Sequence, residues 1–316
     1  MTESIRVAIG QIAPDWLQRA PTLNKVMAAV AEAADQGARL IAFGEALVPG
    51  YPFWLDRTGG AAFDNAAQKA WHAHYLKQAV CIEQGHLDPL CQLARQRQVA
   101  VWLGIIERAA DRGGHTVYCT LVHIDHQGQI KSRHRKLVPT YEERLAWGAG
   151  DGHGLVVNHV DDVAITALNC WENWMPLARA ALYAQGPQLH IASWPGSRRN
   201  TDLITPFIAR EGRCFVMSVS SLMRAEDAGD QVPDLAAMRL EPGTVLADGG
   251  SCICAPNGDY LVTPLDCIEQ VVSADLDLSQ VLAEHQNFDC VGHYSRPDVL
   301  SLSVNRQRQS TVDLKD

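Results

Sequence analysis

Apolar positions recur along this chain with two periods that take turns. Ile5 to Ala13 is a nearly continuous apolar run, the pattern of a buried strand. From Pro21 to Gly37 the apolar residues Leu23, Val26, Met27, Val30 and Ala34 fall at helical spacing, and Gly37 supplies a C-cap. Arg39 to Glu45, RLIAFGE, is again a strand and ends on a carboxylate. A loop rich in glycine, proline and aromatics follows, PGYPFWLDRTGG, and then two helical segments. The second opens with Asp88 as N-cap and Pro89 at the first helical position. Val99 to Ile106, Thr116 to Ile124 and Gln129 to His134 read as three consecutive strands, the last two joined by the turn DHQG.

The second half repeats the alternation. Leu155 to Val160 and Val163 to Leu168 are expected strands around an Asp161-Asp162 turn. Asn173 and Pro176 open a helix that runs to Gly186, LHIASWPG is a strand, Thr201 to Arg213 a helix and CFVMSVSSL a strand. Arg224 to Pro242 is polar and reads as a surface loop. GGSCICAPNGDYLV is a hairpin around Asn257-Gly258, a strong turn signal. VVSADLDL closes a sheet and LSQVLAEHQNF is a late helix. Interleaved helices and strands with no long linker predict a single α/β domain over residues 1–301. Its many hairpins require mixed sheets. Residues 302–316 form a polar C-terminal tail.

Composition narrows the function classes. Of 316 residues, 47% are hydrophobic and 20% charged, and the net charge is −9, so clustered basic residues for a nucleic-acid partner are missing. No apolar run reaches membrane-spanning length, and MTESIRVAIGQIA reads as a strand, not a signal peptide. The nine cysteines are odd in number and irregularly spaced, which points to reduced thiols in the cytoplasm. The twelve histidines show no metal-ligand spacing, so no metal is expected.

Three strand ends carry reactive side chains: Glu45, Lys136 and Cys170. Read alone, each has an ordinary explanation: a solvated rim carboxylate, part of a basic HRK patch, an inert buried sulfur. Brought together they make coherent chemistry. A thiol gains nucleophilicity when a carboxylate takes its proton, and an ammonium stabilises the thiolate and the charge that develops on the substrate. Sequence spacing leaves open whether they meet.

The wording around each residue carries more. FGEALVPGYPFW, HRKLVPTYEERLAWGAGDG and LNCWENWMPLARAALYAQGPQLHIASWPG resemble the three signature blocks of the nitrilase superfamily of carbon–nitrogen hydrolases. CWEN, the PTYEER block and the later GHYSRPDVL resemble the true nitrilase branch, and the similarity runs to about Ser301. The resemblance implies a four-layer α-β-β-α sandwich with two mixed sheets. It implies Glu45 as general base, Lys136 as cationic stabiliser and Cys170 as nucleophile. Glu143 would hold Lys136 oriented and help position water, and the Trp171 backbone N–H would complete an oxyanion-type site. His134 is expected as a supporting group. Trp54, Tyr141, Trp171, Trp194 and Pro195 are candidates to line the acyl pocket. Where the family commonly has proline before its base, this chain has Gly44, which suggests a looser backbone there.

The implied activity is hydrolysis of an organic nitrile to the acid and ammonia, without cofactor, with no nucleic-acid or membrane partner. The alternatives are an amidase or carbamoylase of the same superfamily, or a non-catalytic oligomeric scaffold. The resemblance further implies a homodimer that extends to higher homo-oligomers or filaments, with the 302–316 tail at the interface. The loop from Arg224 to Pro242 is a candidate contact or lid, or a plain solvated loop.

Overall fold

The computed structural model describes residues 3–312, so Met1, Thr2 and the last four residues of the expected tail lie outside the described residues. The first half of the chain gives β1 (Ser4–Gln11), α1 (Arg19–Asp35), β2 (Leu40–Phe43), α2 (Trp54–Arg57), α3 (Ala66–Gln78), α4 (Asp88–Arg97), β3 (Ala100–Arg108), β4 (Val117–Ile124) and β5 (Ile130–Arg135). The second gives β6 (Asn158–Val160), β7 (Val163–Asn169), α5 (Pro176–Tyr183), β8 (Leu189–Trp194), α6 (Arg198–Gly212) and β9 (Phe215–Ser220). It continues with β10 (Leu222–Arg224), β11 (Val245–Asp248), β12 (Cys252–Cys254), β13 (Tyr260–Val262), β14 (Gln270–Asp277) and α7 (Ser279–Glu284).

One six-stranded sheet has the order β14-β1-β2-β3-β4-β5 and the other β13-β12-β9-β8-β7-β6. Each is parallel in its centre (β1-β2-β3 and β7-β8-β9) and antiparallel toward its edges, so both are mixed. β14, from the far end of the chain, pairs with β1.

The period-two pattern of the strands explains the layering. Val7 and Ile9 of β1, Leu40 and Ala42 of β2 and Trp102 of β3 point between the sheets. There they meet Ile165, Ile191, Phe215 and Met217 of the other sheet. Their neighbours Ala8, Ile41, Val101 and Leu103 point outward and pack on Val26 and Val30 of α1 and Leu90 of α4. On the far side Ala192 and Val216 meet Ile204 and Ile208 of α6, while Leu168 meets Ala178 and Leu182 of α5. The result is the four-layer α-β-β-α sandwich that the sequence led us to expect.

Several local details differ from the sequence reading. The N-cap of α4 is Leu87, and Pro89 takes the second helical position. The helix expected from Asn173 splits into a 3₁₀ turn over Cys170–Trp174 and then α5 from Pro176 to Tyr183. The polar stretch from Arg224 to Pro242 is more than a surface loop. It buries Ala228, Val232 and Met238 in one cluster with Trp16, Trp54 and Trp71. The tail is also tied down: the Arg308 guanidinium donates to Asp151 Oδ1 at 2.9 Å, and the Gln309 N–H donates to Asp151 Oδ2 at 3.0 Å.

Candidate active site

Glu45 follows β2 and Lys136 follows β5, both in the first sheet, whereas Cys170 follows β7 in the second. All three sit at strand ends, and the sandwich brings them to one place. One carboxylate oxygen of Glu45, one of Glu143 and the sulfur of Cys170 lie within 4.8 Å of one another. The Lys136 ammonium stands among them, 3.1 Å from Glu45 Oε1 and 2.7 Å from Glu143 Oε2. It already supplies the positive charge these carboxylates require. All four residues are buried.

The backbone around Glu45 is fixed by both sheets. Its N–H donates to the Trp194 carbonyl at 2.9 Å, and the Ser193 hydroxyl donates to the Phe43 carbonyl at 3.0 Å, joining the ends of β2 and β8. Gly44 is tight, contrary to the looser backbone expected. A Cβ there would lie 2.2 Å from Ser221 Oγ, 2.6 Å from the Ser221 backbone N and 2.7 Å from the Trp194 carbonyl oxygen. Glycine is what lets β2 approach the other sheet this closely.

Cys170 begins its 3₁₀ turn with φ at +48°, a left-handed conformation that costs a residue with a side chain about 1–3 kcal/mol. Such strain persists only where the surroundings hold it. The Trp171 backbone N–H lies close enough to the sulfur to favour its thiolate form. Two glutamates then serve parallel purposes. Thr140-Tyr-Glu-Glu143 and Asn169-Cys-Trp-Glu172 are both capping-box spacings, in which the glutamate reaches back to the N–H of its cap residue. Glu143 accepts from Thr140 N–H at 2.6 Å and Glu172 from Asn169 N–H at 2.9 Å. Each also meets a basic side chain, Lys136 for Glu143 and His134 for Glu172.

Burial dominates the electrostatics. It pushes the Glu45 carboxyl up to about 8, with the Lys136 ammonium opposing and the Glu143 charge adding to the rise. It pushes the Cys170 thiol well above its ordinary value, although Lys136 pulls the other way. Burial alone would lower Lys136, but Glu45, the Cys170 sulfur and Glu143 outweigh it and hold the ammonium charged. The site thus holds a permanent cation, a neutral thiol and a carboxyl poised near neutrality. That is an arrangement for proton transfer and nucleophilic attack.

The expected pocket residues divide. Pro195 lines a narrow cleft of about 10 Å³ together with Glu45, Tyr51, Phe53, Ser221 and Leu222. Trp194 does not line it. Its indole is fully buried under α6 and donates to Ser218 Oγ at 3.3 Å, because alternation along β8 turns this residue outward. Trp54 is also core: it stacks on Trp71 at 5.7 Å between centroids, with one edge in a separate cavity of about 290 Å³ beside Leu145. Tyr141 is 84% exposed and Trp171 50% exposed, so both residues lie at the surface.

Sequence reasoning passed over two residues that touch the cluster. The Tyr51 hydroxyl lies 3.0 Å from carboxylate oxygens of both Glu142 and Glu143. The Trp147 ring lies 5.3 Å from the Lys136 ammonium, within cation–π range. Both belong to blocks the sequence singled out, PGYPFW and ERLAWG, but their contacts arise only from the fold.

Comparison with known proteins agrees with this geometry. The carbon-nitrogen hydrolase family model matches residues 6–284. A bifunctional nitrilase/nitrile hydratase of Nicotiana tabacum is 36% identical, over 98% of this chain and 89% of its own. An aliphatic nitrilase of Rhodococcus rhodochrous is 34% identical, over 99% of this chain and 86% of its own. Among solved structures, an amidase from Nesterenkonia sp. AN1 superposes with a TM-score of 0.65 at 20% identity, over 90% of this chain and 99% of that one, a likeness of fold. A cysteine, a lysine and two glutamates gathered at one end of an α-β-β-α sandwich, in a chain matched over nearly its whole length, place this protein in the carbon–nitrogen hydrolase family, within its nitrilase branch.

Proposed function

We propose that this protein is a nitrilase, converting R–C≡N and two waters to R–COOH and ammonia. The observation that carries the reading is the Cys170 sulfur within 4.8 Å of the Glu45 and Glu143 carboxylates, with the Lys136 ammonium bonded to both. Glu45 takes the thiol proton as sulfur bonds to the nitrile carbon and passes it to nitrogen, which gives a covalent thioimidate. Water then adds, with Glu45 as base, to form a tetrahedral intermediate. Its carbon–nitrogen bond breaks and ammonia leaves, so a thioester remains. A second water, again activated by Glu45, releases the acid and restores the thiol. Lys136 and the Trp171 backbone N–H stabilise charge first on nitrogen and then on oxygen. Glu143 keeps Lys136 charged and aimed. If the tetrahedral intermediate expels sulfur instead, the amide is released.

The second reading is an amidase using the same four residues, the activity named for the Nesterenkonia amidase that shares this fold. Ammonia release from a panel of nitriles and the matching amides separates the two, with Cys170→Ala as control. The expected outcome is ammonia from nitriles, abolished in Cys170→Ala. Ammonia from amides alone would overturn the nitrilase reading, and full turnover by Cys170→Ala would remove Cys170 as nucleophile.

Two further expectations belong with this reading. All nine cysteines are free, which supports a reducing, cytoplasmic compartment; among the described residues no helix is long and apolar enough to cross a membrane. Trp174, Leu177, Leu203 and Phe207 on α5, α6 and the turn before α5 are exposed large apolar side chains, which supports pairing with a second copy. Light scattering on the purified protein tests the pairing, and a monomer would refute it.

A further inference from the structure

Glu172 is buried beside the reacting groups, yet it touches none of them. Each of its two carboxylate oxygens accepts one backbone N–H. Oε1 takes that of Leu137 at 2.6 Å, the residue after Lys136, and Oε2 takes that of Asn169 at 2.9 Å, the residue before Cys170. The His134 Nε2, two residues before Lys136, lies 3.1 and 2.9 Å from the same two oxygens. One carboxylate therefore ties the segment that carries the cation to the segment that carries the sulfur. These segments come from opposite sheets.

We propose that Glu172 is a positioning residue whose bridge between Leu137 and Asn169 sets the separation of Lys136 from Cys170. The inference rests on the hydrolase reading above and deepens it. The carboxylate is suited to this task in a way that an amide is not. Both of its oxygens accept, and both positions face a donor. Glutamine has a single acceptor oxygen, so one of the two backbone N–H groups would meet an NH₂ group and lose its bond. Buried backbone donors are costly to leave unpaired, so that arm of the bridge would shift. Charge supports the geometry: burial alone would raise the Glu172 carboxyl, but His134 and the two N–H groups hold it below the ordinary value, hence ionised. His134 is then the third strut, which fits its place as a supporting group.

The test is Glu172→Gln, read by steady-state kinetics and by the pH profile of Cys170 alkylation with iodoacetamide, with the far-UV spectrum and melting curve as fold controls. A displacement of about 1 Å in a catalytic group costs about 10²-fold in rate, so kcat is expected to fall by that order while KM stays within about threefold. The alkylation midpoint is expected to move upward, because the Lys136 charge no longer stands close enough to favour the thiolate. A folded variant with wild-type kcat and an unmoved alkylation profile overturns the proposal. So does a loss of kcat that merely follows a loss of folded protein while the profile stays put. Should Glu172→Gln not fold, Glu172→Asp keeps the charge but is one methylene short, and the same unmoved profile overturns the proposal there. Alkylation needs no nitrile, so a protein inactive on nitriles would sink the functional reading and leave this experiment readable.

Discussion

Glu45 Oε1 lies 3.1 Å from the Lys136 ammonium, whereas its other oxygen, Oε2, is buried without a hydrogen-bond partner among the described residues. One oxygen is anchored and the other is left to receive a proton. Burial raises this carboxyl to about 8, so at neutral pH most of it is protonated, and the ionised fraction is a far stronger base than an ordinary carboxylate. A base works when ionised, and raising its pKa moves the loss of activity to higher pH. The expected kcat/KM rises about tenfold per pH unit up to about pH 8 and levels above it. A flat profile between pH 6 and 9 would contradict the raised Glu45 carboxyl. Glu45→Gln is expected to lower kcat by about 10³-fold or more with an unchanged fold.

Gly44→Ala is expected to damage both stability and turnover. The added methyl meets the Ser221 hydroxyl, the Ser221 backbone N and the Trp194 carbonyl, all inside 3 Å, and two of these are backbone atoms, one just past the end of β9 and one at the end of β8. Overpacking of this kind costs about 1–3 kcal/mol, or several degrees in melting temperature. Combining it with Ser221→Gly is expected to restore little, because the backbone contacts remain. Wild-type melting and kcat in Gly44→Ala would contradict the close approach of the two sheets.

Acid sensitivity should be set in part by His190. Its ring is buried, with Nε2 2.8 Å from Asn173 Oδ1 and Nδ1 3.0 Å from Thr166 Oγ1, and burial lowers its pKa to about 3. The unfolded chain protonates near the ordinary histidine value of about 6.5, so between there and about 3 the unfolded state binds the extra proton. Stability attached to this group is complete above about 6.5 and is lost as pH falls, by up to about 1.4 kcal/mol per pH unit. His190→Gln is expected to flatten the decline in melting temperature between pH 6.5 and 4.5. A decline just as steep in the variant would assign the effect to other groups.

Removing residues after Val304 should destabilise the protein from the side of Lys136. Asp151 is buried and accepts from Arg308 and Gln309, while the neighbouring Gly150 N–H donates to the Lys136 carbonyl at 2.7 Å. Loss of both partners leaves a buried carboxylate underbonded, at a cost of about 1–3 kcal/mol. Differential scanning fluorimetry on the truncated chain measures this, and an unchanged transition would mean that the docked tail contributes nothing.

The sequence disclosed local features and left relational ones hidden. The apolar runs ending at Glu45 and just before Cys170 were legible because each strand announces itself by period and length. Lys136 was equally visible as the end of its more polar strand. Glu143 was reached only through the resemblance of its block, and the capping box it closes with Thr140 became visible in the fold. No period records which sheet a strand joins, so the pairing of β14 with β1 emerged only from the fold. Trp54 and Trp194 misled because a tryptophan looks alike in a core and in a pocket. Gly44 misled because glycine suggests freedom, whereas here it marks a close approach. Glu172 has the same capping-box spacing as Glu143, but nothing local says that its far side meets Leu137.

Glu45 and Lys136 hang from one sheet and Cys170 from the other, and away from the bonds that join the sheets at the site, side chains such as Ile9, Trp102, Ile191 and Met217 hold them apart. That filling is therefore a gauge block as well as a core: its thickness decides how far the sulfur stands from its base. A change of one or two methylene groups deep between the sheets, touching no substrate, would retune the reaction as directly as a change in the cleft. Natural variation in such enzymes can thus be written in their interiors.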